Sequence, residues 1–161
     1  MKKSLSFLFI LFFVTLIYSQ KKFENPQTGF TTASFLTIKK VEITDSTTVV
    51  SFEISNSAGM QFSVPKKSYI KDVASGEKLF IKSSEGASME KMNVVPESGI
   101  INYKFVFGKL DKSVTKIDYG VDGGTWSIYD IELQNSPNTL EINPELAGNW
   151  YNTENGNWEI G

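Results

Sequence analysis

The chain contains no cysteine and no histidine, and all 16 of its basic residues are lysine. Without imidazole or thiol there is no Ser-His-Asp triad, no Cys-His pair and no thiolate or imidazole metal site. No disulfide framework can form, and thiol redox chemistry is excluded with it. The missing arginine is the side chain that most often reads base edges. Acids slightly outnumber lysines, for a formal net charge of −2, so the clustered positive surface that nucleic acid demands is not expected either. What remains open is carboxylate chemistry, calcium held by oxygen ligands, or plain binding. No cofactor is expected, and no enzymatic activity is expected of this chain.

Long apolar runs are equally scarce; there is one. Leu5 to Tyr18 is almost wholly apolar, follows Lys2 and Lys3, and breaks at Ser19-Gln20-Lys21-Lys22. A positive start, an apolar stretch and a small residue at its close make residues 1–19 a secretory signal peptide, cut between Ser19 and Gln20. The run falls short of the roughly 20 apolar residues of a spanning helix, so no stable membrane span is expected after cleavage. With no cysteine at the cut, a lipid anchor is excluded. Losing Lys2 and Lys3 leaves 14 lysines against 18 acids, a net charge of −4 that serves solubility. The expected location is outside the cytoplasm, periplasmic or extracellular.

From Gln20 to Thr31 the composition suggests a flexible entry segment, and residues 32–133 then read as short β runs split by turn residues. Leu36 and Ile38 are out of phase with Val41 and Ile43, which predicts a β-bulge or a switch of sheet near Lys39-Lys40. Thr48 to Ser55 alternates cleanly, with Val50, Phe52 and Ile54 inward. Gln61 to Val64 ends on Pro65, which suits a sheet edge. Tyr69 to Val73 and Lys78 to Lys82 flank a tight turn. Ser83 to Gly99 is polar and reads as irregular. Ile101, Tyr103, Phe105 and Phe107 share one face of the best strand, Ile100 to Phe107. Val114 to Val121 follows, then a glycine-rich turn and a last run from Trp126 to Leu133. About seven short strands without helical periodicity predict an all-β, immunoglobulin-like antiparallel sandwich. Phe52, Tyr103, Phe105, Ile117 and Trp126 are its expected buried core.

Residues 134–144 (QNSPNTLEINP) form a linker by composition. Residues 145–161 then read as a hairpin around Asn155-Gly156, rich in tryptophan. A lone hairpin is marginal in water, so the expectation is the first hairpin of a second β module, incomplete in this chain.

Several segments together resemble an N-terminal domain of exported multidomain proteins of Gram-negative bacteria. They are Thr48-Val49-Val50-Ser51-Phe52, Val64 to Ile70, Ser98-Gly99 before Phe105-Val106-Phe107, Ile117-Asp118-Tyr119 and Trp126 to Ile131. Gly148-Asn149-Trp150-Tyr151 with Trp158 looks like the start of the next module. In that family an Ig-like sandwich precedes a small β domain and often a TlpA-type thioredoxin-like domain. The resemblance implies an accessory role and a downstream domain of the same protein as partner. It cannot carry oxidoreductase activity here, because the Cys-x-x-Cys motif is absent.

Individual residues allow sharper readings, each with a plainer rival. Asp118, Asp122 and Asp130 offer oxygens for calcium, but no D-x-D-x-D-G run is present and turn chemistry explains them as well. Glu85 with Glu90, or Glu97 with Asp111, offer the paired carboxylates of a hydrolase; exposed sandwich faces carry such residues routinely. Lys39-Lys40 and Lys66-Lys67 project to opposite faces and read as edge lysines. Trp126, Tyr129, Trp150 and Trp158 are the candidate ligand-binding residues, as a platform for stacking sugars. Trp126 and Tyr129 differ in strand parity, so one points outward unless a bulge intervenes. The expected function is therefore a non-catalytic exported domain that positions or shields a downstream module. A carbohydrate-binding sandwich is the alternative, and a carboxylate-based hydrolase comes third.

Overall fold

A computed structural model of the chain describes residues 20–134 and, beyond them, the backbone pairing of two short strands. Every regular element among the described residues is a strand. They are β1 (Lys21–Glu24), β2 (Leu36–Ile43), β3 (Thr48–Ser55), β4 (Gln61–Ser63), β5 (Ser68–Asp72), β6 (Lys78–Glu85), β7 (Met92–Val94), β8 (Ile100–Phe107), β9 (Lys116–Val121) and β10 (Ser127–Glu132). β11 (Trp150–Asn152) pairs antiparallel with β12 (Trp158–Ile160), Trp150 facing Ile160. The expected signal peptide, residues 1–19, and the expected linker beyond Gln134 lie outside the described residues.

Eight strands form one antiparallel sheet in the order β1-β2-β3-β8-β6-β5-β9-β10. The sheet curls. Phe52 on β3 and Tyr119 on β9 have ring centroids 4.8 Å apart, although three strands separate them along the ladder. The corner is β6: Lys78 to Phe80 pairs with β5, Ile81 to Glu85 pairs with β8, and the register shifts between Ile81 and Ser83. An irregularity of that kind bends a strand and increases its twist. A small second sheet pairs β4 with β7.

Strict alternation builds the core. Val50, Phe52 and Ile54 of β3 face inward beside Tyr103, Phe105 and Phe107 of β8, and all six are buried. Burying each large apolar side chain favours folding by about 1.5–3 kcal/mol. The expected bulge in β2 is present, between Ile38 and Lys40, and it lets Leu36, Ile38, Val41 and Ile43 all face inward. Of the five expected core residues, Phe52, Tyr103, Phe105 and Ile117 are buried; Trp126 is only half-buried, because it sits in the turn before β10 at the rim of the core.

Two stretches depart from the expectation. The stretch from Ser83 to Gly99 is not simply irregular: β6 runs on to Glu85, and β7 follows. Three residues are too few for an alternation pattern to reveal, and Met92 and Val94 on β7 point to solvent. The entry segment is not loose either. Phe23 of β1 is buried opposite Val41 of β2. Asn25, at φ 43°, then turns the chain away, and the following residues run along β10 at the other end of the sheet. Gly29 N–H donates to Tyr129 O at 2.9 Å, Tyr129 N–H to Phe30 O at 2.9 Å, and Thr32 N–H to Ser127 O at 3.0 Å. One segment thus supplies one terminal strand, β1, and lines the other, β10, satisfying backbone groups that would otherwise be a bare edge.

Candidate functional site

The first candidate lies where β10 breaks its alternation. Between Ile128 and Ile131 the register against β9 slips, with Asp130 at φ 53°. Aspartate tolerates this left-handed conformation better than most residues. Asp118 on β9 holds the bulge: its Oδ1 accepts Asp130 N–H at 3.0 Å, and its Oδ2 is 2.7 Å from Lys71 Nζ. Only 7% of Asp118 is exposed, so it is a buried charge that is paired and hydrogen-bonded, as burial requires. The hydrogen bond that Lys71 donates to Asp118 raises the pKa of Lys71 above the ordinary lysine value, against the opposing effect of desolvation.

The bulge turns Tyr129 outward, where it meets Phe30. The two rings lie 6.2 Å apart and within 14° of parallel. Phe30 is 68% exposed and Tyr129 39%. Gly29 permits the approach: a Cβ there would come 3.0 Å from Asp130 Cβ and 3.3 Å from Tyr129 O. Lys116 borders the pair, 3.4 Å from Asp130 Oδ1 and 3.0 Å from Glu132 Oε1.

The second candidate is a cleft of about 240 Å³ at the other end of β10, walled by Phe62, Tyr103, Phe105, Tyr119 and Trp126. Trp126 packs edge-on against Phe35 at 5.1 Å and lies within 29° of parallel to Phe62 at 6.4 Å. Burial pushes the Tyr119 hydroxyl up to about 12 and the Tyr103 hydroxyl higher still, the latter helped by its neighbour Tyr119. Ser68 stands near enough to Tyr119 to oppose its shift. The two are not in hydrogen-bonding geometry, however, and the buried Ser68 Oγ has no partner.

Trp126 and Tyr129, paired in the sequence reading, thus belong to two different places: a half-buried cleft wall and an exposed edge. Trp150 lies on β11 and Trp158 on β12, and only their backbone pairing is described. Ser19 is outside the described residues, while Gln20 immediately precedes β1. Phe30 was not singled out from the sequence, nor were Phe62, Tyr103 and Tyr119 as cleft residues. Gly29-Phe30 is the one local signal, an apolar ring after a glycine in an otherwise polar stretch.

The carboxylates are engaged elsewhere. Asp118 pairs with Lys71, Asp122 with Lys78 and Asp130 with Lys116. Among the described residues no three acidic side chains converge as a metal site. Glu85 faces Lys104, Glu90 accepts Lys66 N–H at 2.6 Å, and Asp111 caps the Ser113 turn. Lys39 and Lys40 pair with Glu53 and Glu42. Comparison with models of protein families, with curated proteins and with solved structures finds no match for this chain.

Proposed function

We propose that this chain carries a non-catalytic interaction domain of an exported protein, an immunoglobulin-like sandwich that positions or shields the module following it. The strand order supports the Ig-like reading. β2, β3, β8 and β6 stand in the order of strands A, B, E and D, and β5, β9 and β10 in the order of C, F and G. β6 then serves both layers. The leader pattern of residues 1–19 supports export.

The observation that carries the proposal is the Phe30–Tyr129 pair. Adjacent exposed aromatics are the usual mark of a contact surface. Tyr129 lies on β10, the last strand before residues 135–161, and Phe30 on the segment hydrogen-bonded along it. Hydroxyl-radical footprinting tests the proposal, comparing the whole chain with a version cut after Gln134. Tyr129 and Phe30 are expected to be several-fold less reactive in the whole chain. Equal reactivity in both would remove the proposal's basis.

The near-parallel geometry of the same pair also favours the second reading, a carbohydrate platform. Sugars stack their C–H faces on such rings. Titration with soluble oligosaccharides distinguishes the two, since only this reading expects Phe30 and Tyr129 ring signals to shift.

A further inference from the structure

The cleft beside Trp126 is independent of the Phe30–Tyr129 surface and has a different character. Its walls are five aromatic side chains, with Val64, Pro65 and Val121 between them and Ser63, Gly124 and Thr125 completing the lining. Tyr103 is only 4% exposed, and burial, with the neighbouring Tyr119, holds its hydroxyl in the neutral form. Beside it, Tyr119 has only the misaligned Ser68 hydroxyl for company. A phenol hydroxyl that borders a cleft can donate a hydrogen bond to a guest.

We propose that this cleft is a binding site for a small planar aromatic compound carrying a hydrogen-bond acceptor, with Tyr103 as the donor. The volume decides the size class. At about 240 Å³ the cleft is smaller than the ~300–1,000 Å³ of pockets for drug-sized ligands, and larger than the ~150 Å³ cavity that takes up benzene. One substituted ring fits. The walls decide the chemistry: ring edges and faces at varied angles, such as Phe52–Tyr103–Phe105 beneath and Phe62–Trp126 at the mouth, suit an aromatic guest. Tyr103 decides the acceptor, because it lines the cleft and its phenol hydroxyl is a hydrogen-bond donor. Trp126, half-buried, forms part of the wall.

The test uses acetophenone and ethylbenzene, rings of nearly equal shape of which only the first has an acceptor. Each is titrated into the purified chain while aromatic and valine methyl signals are followed by NMR. Acetophenone is expected to bind saturably, shifting Phe62, Tyr103, Val121 and Trp126, and about tenfold more tightly than ethylbenzene, the value of one hydrogen bond. Tyr103→Phe should erase that preference while leaving ethylbenzene binding in place. Absence of saturable shifts in the cleft, or equal affinity for the two compounds in the unaltered protein, would overturn the proposal. The comparison of ligands in the unaltered protein keeps the test decisive even if Tyr103→Phe folds poorly.

Discussion

β3 with β8 and β9 with β10 are both antiparallel pairs in the same sheet, yet they do opposite things. Along β3 and β8 the register is unbroken from Thr48 opposite Phe107 to Ser55 opposite Ile100. Every second side chain falls inward, and the product is core. Along β9 and β10 the register slips at Tyr129-Asp130, a charged residue is buried beneath the slip, and the product is surface. Unbroken alternation stores stability, whereas the one interruption of β10 re-aims a large ring at solvent. Residues in the two pairs should therefore differ sharply in what their loss costs.

The largest difference is expected from Phe105→Ala. Phe105 contacts Phe52, Tyr103, Phe107 and Tyr119 and is almost wholly buried. Removing its ring should cost about 3–5 kcal/mol through lost transfer energy and an unfilled cavity. Urea unfolding followed by tryptophan fluorescence reads this as a large fall in midpoint. An unchanged midpoint would mean that β8 does not hold the core.

The β3–β8 pair was legible in the sequence because a period of two needs only the residues themselves. The β2 bulge was legible for the same reason, as a change of parity between Ile38 and Val41. The β9–β10 surface was half legible. The parity conflict between Trp126 and Tyr129 flagged a bulge or an outward ring, and the structure contains both. Which ring turned out depends on Asp118 and Lys71, from two other strands, and no local pattern encodes that. Phe30 was hidden for a related reason. Its segment lacks alternation because it is held by β10 through backbone hydrogen bonds, not by an apolar face. The cleft depends on the curl of the sheet at β6, which brings Tyr103 and Tyr119 together across the core.

Alkaline pH is expected to have the next largest effect, again through the core. Tyr119 ionises near 10 when unfolded but only at about 12 in the folded protein, where burial disfavours the phenolate. A raised folded value means its contribution is complete below pH 10 and is lost as pH rises from 10 through 12. For Tyr119 this amounts to about 3 kcal/mol at 1.36 kcal/mol per pH unit, and Tyr103 acts in the same direction. Stability measured by urea titration between pH 8 and 12 should fall steeply above 10. Tyr119→Phe should flatten the fall; an identical fall in that variant would place the sensitive groups elsewhere.

Asp118→Ala attacks the device that separates the two pairs. It leaves the Asp130 N–H without its acceptor and Lys71 without its partner. Lys71 keeps access to water, with a third of its side chain exposed, so the cost should be moderate, about 2 kcal/mol. Asp118→Asn retains an acceptor for Asp130 and should cost about half as much. Amide hydrogen exchange at Asp130 provides the local reading: it should accelerate in the alanine variant and change little in the asparagine one. Unchanged protection in Asp118→Ala would show that the bulge is held by the backbone alone.

The smallest effect is expected at Tyr129, and it is the sharpest test of the contrast. Its ring touches Phe30, belongs to a strand whose backbone is already paired on both sides, and points away from the core. Exposed substitutions away from caps, cavities and buried polar groups usually change stability by no more than about 0.5 kcal/mol. Replacement by alanine would mix in the weaker strand preference of that residue, so Tyr129→Thr, which keeps a β-branched side chain, is the cleaner probe. An aromatic pair is worth about 0.5–1.5 kcal/mol when packed in a protein, and one this open to water belongs at the lower end. A double-mutant cycle with Phe30→Ala, measured by urea midpoint, should therefore give a coupling of about 0.5 kcal/mol or less. A ring that adds so little to folding, yet is held outward by a buried aspartate, is available for contact. A coupling above about 2 kcal/mol would make the pair part of the fold, and the interaction surface would have to be sought elsewhere on the sheet.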